Sequence, residues 1–205
     1  MNPSVFLSGM AMGLSLIMPI GAQNAFVLKQ GLRNEYIFTV CLMCALSDAV
    51  LIVAGVSGFA RVAAWLPWAE PVMRYGGAAF LAWYGFRSLR AALRSDAALR
   101  AHAEADSERA PFGRIALACL ALTWLNPHVY LDTMVLLGSV SSQFGEQRAA
   151  FAAGAASGSF LFFFSLGYAA RWLRPVFARP LAWRVLDGVI VVVMWSIAWR
   201  LVTGA

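Results

Sequence analysis

The chain has 205 residues, 61% of them hydrophobic and 13% charged, with a mean hydropathy of +0.70. A soluble domain is roughly 45–50% apolar and about 25% charged; here the apolar excess runs the whole length, which excludes an ordinary soluble enzyme and leaves one membrane-embedded domain over residues 1–205. The net charge of +6 does not argue for nucleic-acid binding, because the basic residues fall in gaps between apolar runs, where the positive-inside rule accounts for them.

A helix needs about 20 apolar residues to cross about 30 Å of hydrocarbon, and helices satisfy their own backbone groups there. Six segments qualify, at roughly 5–28, 37–60, 72–90, 115–138, 149–170 and 183–203. The first lacks a charged n-region and a small-x-small cleavage site, so it is expected to stay as the first span. Its Gly9 and Gly13, like Gly154 and Gly158 in the fifth, are spaced four apart, which lets helix backbones approach. It is interrupted by PIGAQNA, Pro19–Ala25. Pro19 removes a helix donor and clashes with the preceding turn, and Gly21 tolerates the backbone that results. Backbone groups freed at membrane depth are tolerated only beside protein or a wet cavity. Gln23 and Asn24 then either contact a substrate's carboxylate or amine, or bond to neighbouring helices across a plain kink.

In the second segment Asp48 lies mid-span among apolar neighbours, in CALSDAVLI. An ionisable group at that depth normally faces a cavity, a partner or a substrate path. Cys41 and Cys44 form a CxxC on one face of the same segment, and Cys119 lies in the fourth. No metal-ligand set accompanies them, and Cys is a common apolar filler. A disulfide framework is not expected.

Residues 91–113 are polar and Ala-rich, with Asp96, His102, Glu104, Asp106 and Glu108 among arginines. They read as a solvated linker, helical in part. Beyond it, NPHVYLD (Asn126–Asp132) repeats the earlier device. Asn126 and Pro127 break the fourth segment, and His128, Tyr130 and Asp132 lie close to the break. His128 reads as a hydrogen-bonded packing residue, and Tyr130 as a site residue or an interfacial aromatic. Asp132 needs a partner. Asp187, near a span end beside Arg184, is expected to pair there or sit at the interface.

Twelve Lys and Arg fall on one side of the six segments, from Lys29 and Arg33 through the 87–114 cluster to Arg184, and four on the other, Arg61, Arg74, Arg148 and Arg200. The richer side should be cytoplasmic and, with six spans, both termini periplasmic, in a bacterial inner membrane; five spans would move one terminus. The linker leaves two halves, about 1–90 and 114–205. Three spans in each would make the halves inverted. Aligning Pro19 with Pro127 sets Ser15 opposite Thr123 and Asn24 opposite Asp132. The fold expected is therefore an all-α membrane protein of two inverted three-helix repeats with broken first and fourth helices. Sites in such proteins lie where the discontinuous helices meet.

PIGAQNAFVLKQG, SDAVLI, AFLAWYGF and TWLNPHVYLDTMVLLGS resemble the LysE family of amino-acid exporters over nearly the whole chain, and most closely its basic-amino-acid branch, that of the lysine and arginine exporters. The branch handling homoserine, threonine and leucine has a PGPN-like first motif instead. Ala22 departs from the second Pro usual in related exporters. The resemblance implies export of L-arginine or L-lysine from the cytoplasm, driven by the membrane potential or by protons. The residues that would bind substrate or couple protons are Asp48, Asp132, Asn24, Gln23, Asn126 and Tyr130. The alternatives are an exporter of neutral amino acids or of another small cation and, from another class, a membrane thiol-redox protein using Cys41 and Cys44. No Ser-His-Asp set, nucleotide loop or zinc-ligand spacing occurs, so no enzyme, metal or cofactor is expected. The partners expected are the amino acid, protons and the bilayer; a homo-oligomer stays open.

Overall fold

The structure is a computed structural model that describes residues 2–19, 21–58, 69–93, 111–177 and 179–203. Most of the 91–113 linker, with His102 and its acidic residues, lies outside them. So do Arg61, Arg94, Arg100 and Arg109. The described residues are helical throughout, with no strand.

The expected first span is two helices, α1 (Pro3–Ile17) and α2 (Ala22–Arg33), bent 85° from each other at the Pro19–Gly21 break. A left-handed turn at Asn34 (φ 58°) and Tyr36 (φ 48°) leads into α3 (Ile37–Val56), which covers the expected second span. α4 (Ala69–Leu93) covers the expected third span. The expected fourth is broken in turn. α5 (Phe112–Trp124) ends at Leu125, and α6 (Pro127–Tyr130) runs into a π-helical stretch, Leu131–Leu136, and then α7 (Leu137–Ser141). A 3₁₀ segment turns at Gly145 (φ 52°, ψ −121°) into α8 (Arg148–Ala169). A second 3₁₀ turn and the short α9 (Arg174–Phe177) precede α10 (Pro180–Thr203).

Among the described residues three helical runs are long and apolar enough to cross a membrane, Ile37–Val56, Pro127–Phe177 and Leu181–Thr203, and the bent α1–α2 pair makes a fourth. α4 is 25 residues long but carries Glu70, Arg74, Arg87 and Arg90, which lower its apolar character.

Lipid supplies no hydrophobic drive between helices, so close backbone packing has to hold them together. α1 and α8 meet on the glycines the sequence marks out. A Cβ on Gly9 would strike the Phe151 carbonyl, and one on Gly154 the Phe6 carbonyl. Gly13 and Gly158 meet Ala155 O at 3.0 Å and Met10 O at 3.1 Å in the same sense. A second seam joins α3 to the π-helical stretch and α7, where a Cβ on Gly55 would lie 2.5 Å from Met134 Cα and one on Gly138 2.8 Å from Gly55 O. α4 packs along α10 and reaches the second break, where Gly77 abuts the Leu125 carbonyl. The main core, with Phe26, Cys44, Leu122, Phe163, Ile190 and Met194 among its buried side chains, fills the space among these elements.

Asp187 departs from its expected place. It is buried and pairs not with Arg184 but with Lys29 of α2, at 2.5 Å. A carboxylate buried at that depth needs a cation equally deep. The arginine one turn away is exposed, whereas α2, turned by the break, brings Lys29 to it.

Candidate functional site

Both breaks open onto one cavity of about 270 Å³, close to the lower end of small-molecule sites, which run roughly 300–1,000 Å³. Pro19, Gly21, Gln23 and Asn24 line it from the first break, and Asn126, His128 and Asp132 from the second. Asp48 reaches it from α3, Ser159 from α8, and Ile197 and Arg200 from α10. Arg200 is exposed in the last turns of α10 and stands at the rim.

Each break satisfies its own backbone with side chains. Asn24 Nδ2 donates to the carbonyls of Ile17 (2.7 Å) and Pro19 (2.9 Å), which the end of α1 leaves without helical partners. Asn126 caps α6, its Oδ1 accepting from the His128 N–H at 3.1 Å. The Tyr130 hydroxyl donates to the Trp124 carbonyl at 2.9 Å, closing the end of α5. Tyr130 is thus committed to the break, and neither it nor Pro127 lines the cavity. Ser15 and Thr123, set opposite each other by the alignment of halves, both donate back to their own helices, to Met12 O (2.7 Å) and Cys119 O (3.1 Å).

The polar groups left for a ligand are of two kinds. The carboxylates are Asp48, 4% exposed, whose Oδ2 accepts from the Ser159 hydroxyl at 3.0 Å, and Asp132, half-buried in the π-helical stretch one turn after His128. π-helical turns gather at functional sites because they push a side chain out of the regular helical register. The donors lie at the start of α2. Its N-cap, Gly21, offers no side chain to the first N–H groups, and Gln23 Nε2 is buried without a hydrogen-bond partner among the described residues. A helix start carries a positive partial charge. The cavity therefore presents acids to a cationic group and an uncapped helix start to an anionic one.

Ser159 and Arg200 were missed by sequence reasoning as site residues. A hydroxyl in an apolar helix, with a buried acid elsewhere in need of a donor, was the available signal for Ser159. Arg200 gave none beyond its place at the end of the last span. The cysteines do not pair as a CxxC. Cys41 donates to the Phe163 carbonyl at 3.2 Å, Cys44 lies 3.4 Å from Cys119, and all three are free thiols in the core.

Apolar helices broken twice around an acid-lined cavity make this a multi-pass membrane protein of the translocating kind. The family model of LysE type translocators matches residues 14–205, and the chain belongs to that family. It is 44% identical, over 97% of its length and 93% of theirs, to the arginine exporter proteins ArgO of Salmonella schwarzengrund, Salmonella typhi and Salmonella typhimurium. No solved structure matches it.

Proposed function

We propose that the protein exports basic amino acids, L-arginine foremost and L-lysine with it, from the cytoplasm across the bacterial inner membrane. One observation carries the reading. Asp48 and Asp132, one from each half of the chain, face the same cavity as the uncapped start of α2. A basic amino acid brings two cationic groups and one carboxylate. Asp48 and Asp132 take the cations, and the α2 amides with Gln23 take the carboxylate. The names and near-full-length similarity of the relatives support the same substrate.

Six spans in two inverted halves, about 1–90 and 114–205, suit this function, and the helix pairing supports them. α1 and α2 lie on α8, as α5, the π-helical stretch and α7 lie on α3. α3 packs on α8 and α4 on α10, each against its counterpart in the other half. In this arrangement the breaks meet at mid-membrane, and the basic-rich ends with the linker face the cytoplasm. Proton return through the same acids drives export. The deciding experiment is counterflow of radiolabelled arginine and lysine in proteoliposomes, with leucine as control. Fast exchange of both basic amino acids and slow exchange of leucine is expected; leucine exchanging as fast as arginine would refute the assignment.

A further inference from the structure

The Lys29–Asp187 pair lies away from the cavity, on the side opposite Arg200. Lys29 is six residues beyond Gln23 along α2, about 9 Å at the helical rise, and Asp187 is ten residues before Ile197 on α10, about 15 Å. Between pair and cavity lies an apolar layer. Phe26 is buried edge-on to Tyr84, 6.3 Å between ring centroids, and Leu81, Ile190 and Met194 are buried in the same core. Beyond the pair are the arginines of the basic end. Arg33 and Arg87 are close enough to act electrostatically on Lys29, and Arg33 stands 6.0 Å over the Trp183 ring. Arg74, at the other end of α4, binds the Leu201 and Val202 carbonyls near the end of α10. The exposed Arg200 thus stands at one end of the cavity, and an aromatic layer with one buried ion pair at the other.

We propose that Asp187 is the cytoplasmic receiving site for the substrate's cationic group, and that Lys29 is the gate held on it until that group arrives. The proposal rests on the transport reading above. An incoming guanidinium or ammonium takes Asp187 from Lys29 one cation for one, and the displaced ammonium turns out to the cytoplasmic interface on its flexible stem. The carboxylate is never left unpaired, so the gate opens without the penalty of a lone buried charge. The pair joins α2, the inner half of the first broken span, to α10, so its release frees α2 to swing and carry the Phe26 layer with it.

The test uses the full chain in oriented proteoliposomes. In D187N the arginine KM at the cytoplasmic face should rise by at least about tenfold, with the KM at the outer face unchanged. The K29M/D187N double variant removes both charges and so spares the fold a lone buried ion. It should keep the raised KM of D187N; a return to the wild-type KM would show that the pair only holds helices together. A second readout needs no transport. In an otherwise Cys-free protein, Phe26→Cys should resist a thiol reagent applied at the cytoplasmic face, and react once Lys29→Met is added or arginine is supplied. Protection persisting under both conditions overturns the gate. Loss of counterflow in the wild type would instead sink the transport reading, and the labelling tells the two failures apart.

Discussion

Replacing Asp48 by Asn is the sharpest test of the cavity. The change is nearly isosteric. The amide oxygen can still accept from Ser159, whose hydroxyl sits 3.0 Å from the carboxylate, and the surrounding helices need not move. What is lost is one negative charge at a residue 4% exposed. A substrate cation at ~4 Å from that charge gains about 4 kcal/mol at an effective dielectric of about 20, a factor of about 10³ in binding. Arginine counterflow in Asp48→Asn should therefore fall by at least about a hundredfold, while the purified protein melts within a few degrees of wild type. Ser159→Ala leaves the charge and removes one hydrogen bond to it, a loss of about 1.5–3 kcal/mol, so it should act in the same direction and less strongly. A variant with Asn at 48 that exchanges arginine at the wild-type rate would refute the placement of the substrate cation.

Asp132→Asn should weaken arginine exchange less than the change at Asp48, by roughly ten- to a hundredfold, because a half-buried charge is better screened; titrating the KM for arginine in both variants checks the order. Gly154→Leu puts side-chain atoms into the Phe6 carbonyl across the α1–α8 seam and should cost about 1–3 kcal/mol or more in stability, read as a lower melting temperature in detergent. Gly76→Ala, where a Cβ meets nothing within 4 Å, should be silent in the same assay. For orientation, a membrane-impermeant thiol reagent added outside a Cys-free protein should label a cysteine appended after Ala205 and spare one at Ser107; the reverse pattern would invert the topology.

The helices were legible because hydropathy and two Pro-centred motifs announce themselves. A run of apolar residues in lipid has no alternative to a helix, and a proline with a neighbouring Gly or Asn has few alternatives to a break. The convergence of Asp48, Asn24, Gln23, Asn126 and Asp132 on one cavity follows from the same logic, since each needs a polar surrounding and the fold supplies one. What could not be read was which polar atom is spent on structure. Asn24 and Tyr130 look like ligands in sequence, yet the carbonyls freed at each break are the nearest acceptors and take their donors first. The pairing of Asp187 was equally hidden. Arg184, three residues away, suggests a local partner, but Lys29 lies 158 residues earlier in the chain, and no pattern around Asp187 points to it.

The separation of the three acids bears on how export against the voltage can be driven. An inside-negative potential opposes the exit of a cation by about 2.3 kcal/mol per 100 mV, and a proton returning on each cycle cancels that charge movement. For the two to be linked, some group must hold the proton or the substrate and not both. Asp187 is unsuited, because Lys29 already pairs with it. Asp132 is only half-buried and has His128 one turn away. Among the described residues Asp48 has only a neutral hydroxyl as its hydrogen-bond partner, and it is nearly closed off from solvent. When no cation is in the cavity, its charge is the one that burial makes hardest to leave bare. In the proposed cycle a proton there is displaced only by a substrate cation, and substrate leaving to the outside leaves a carboxylate that the next proton fills. On the proposed reading, coupling needs no separate proton channel, because the cavity that would take arginine would also be the route by which the proton returns.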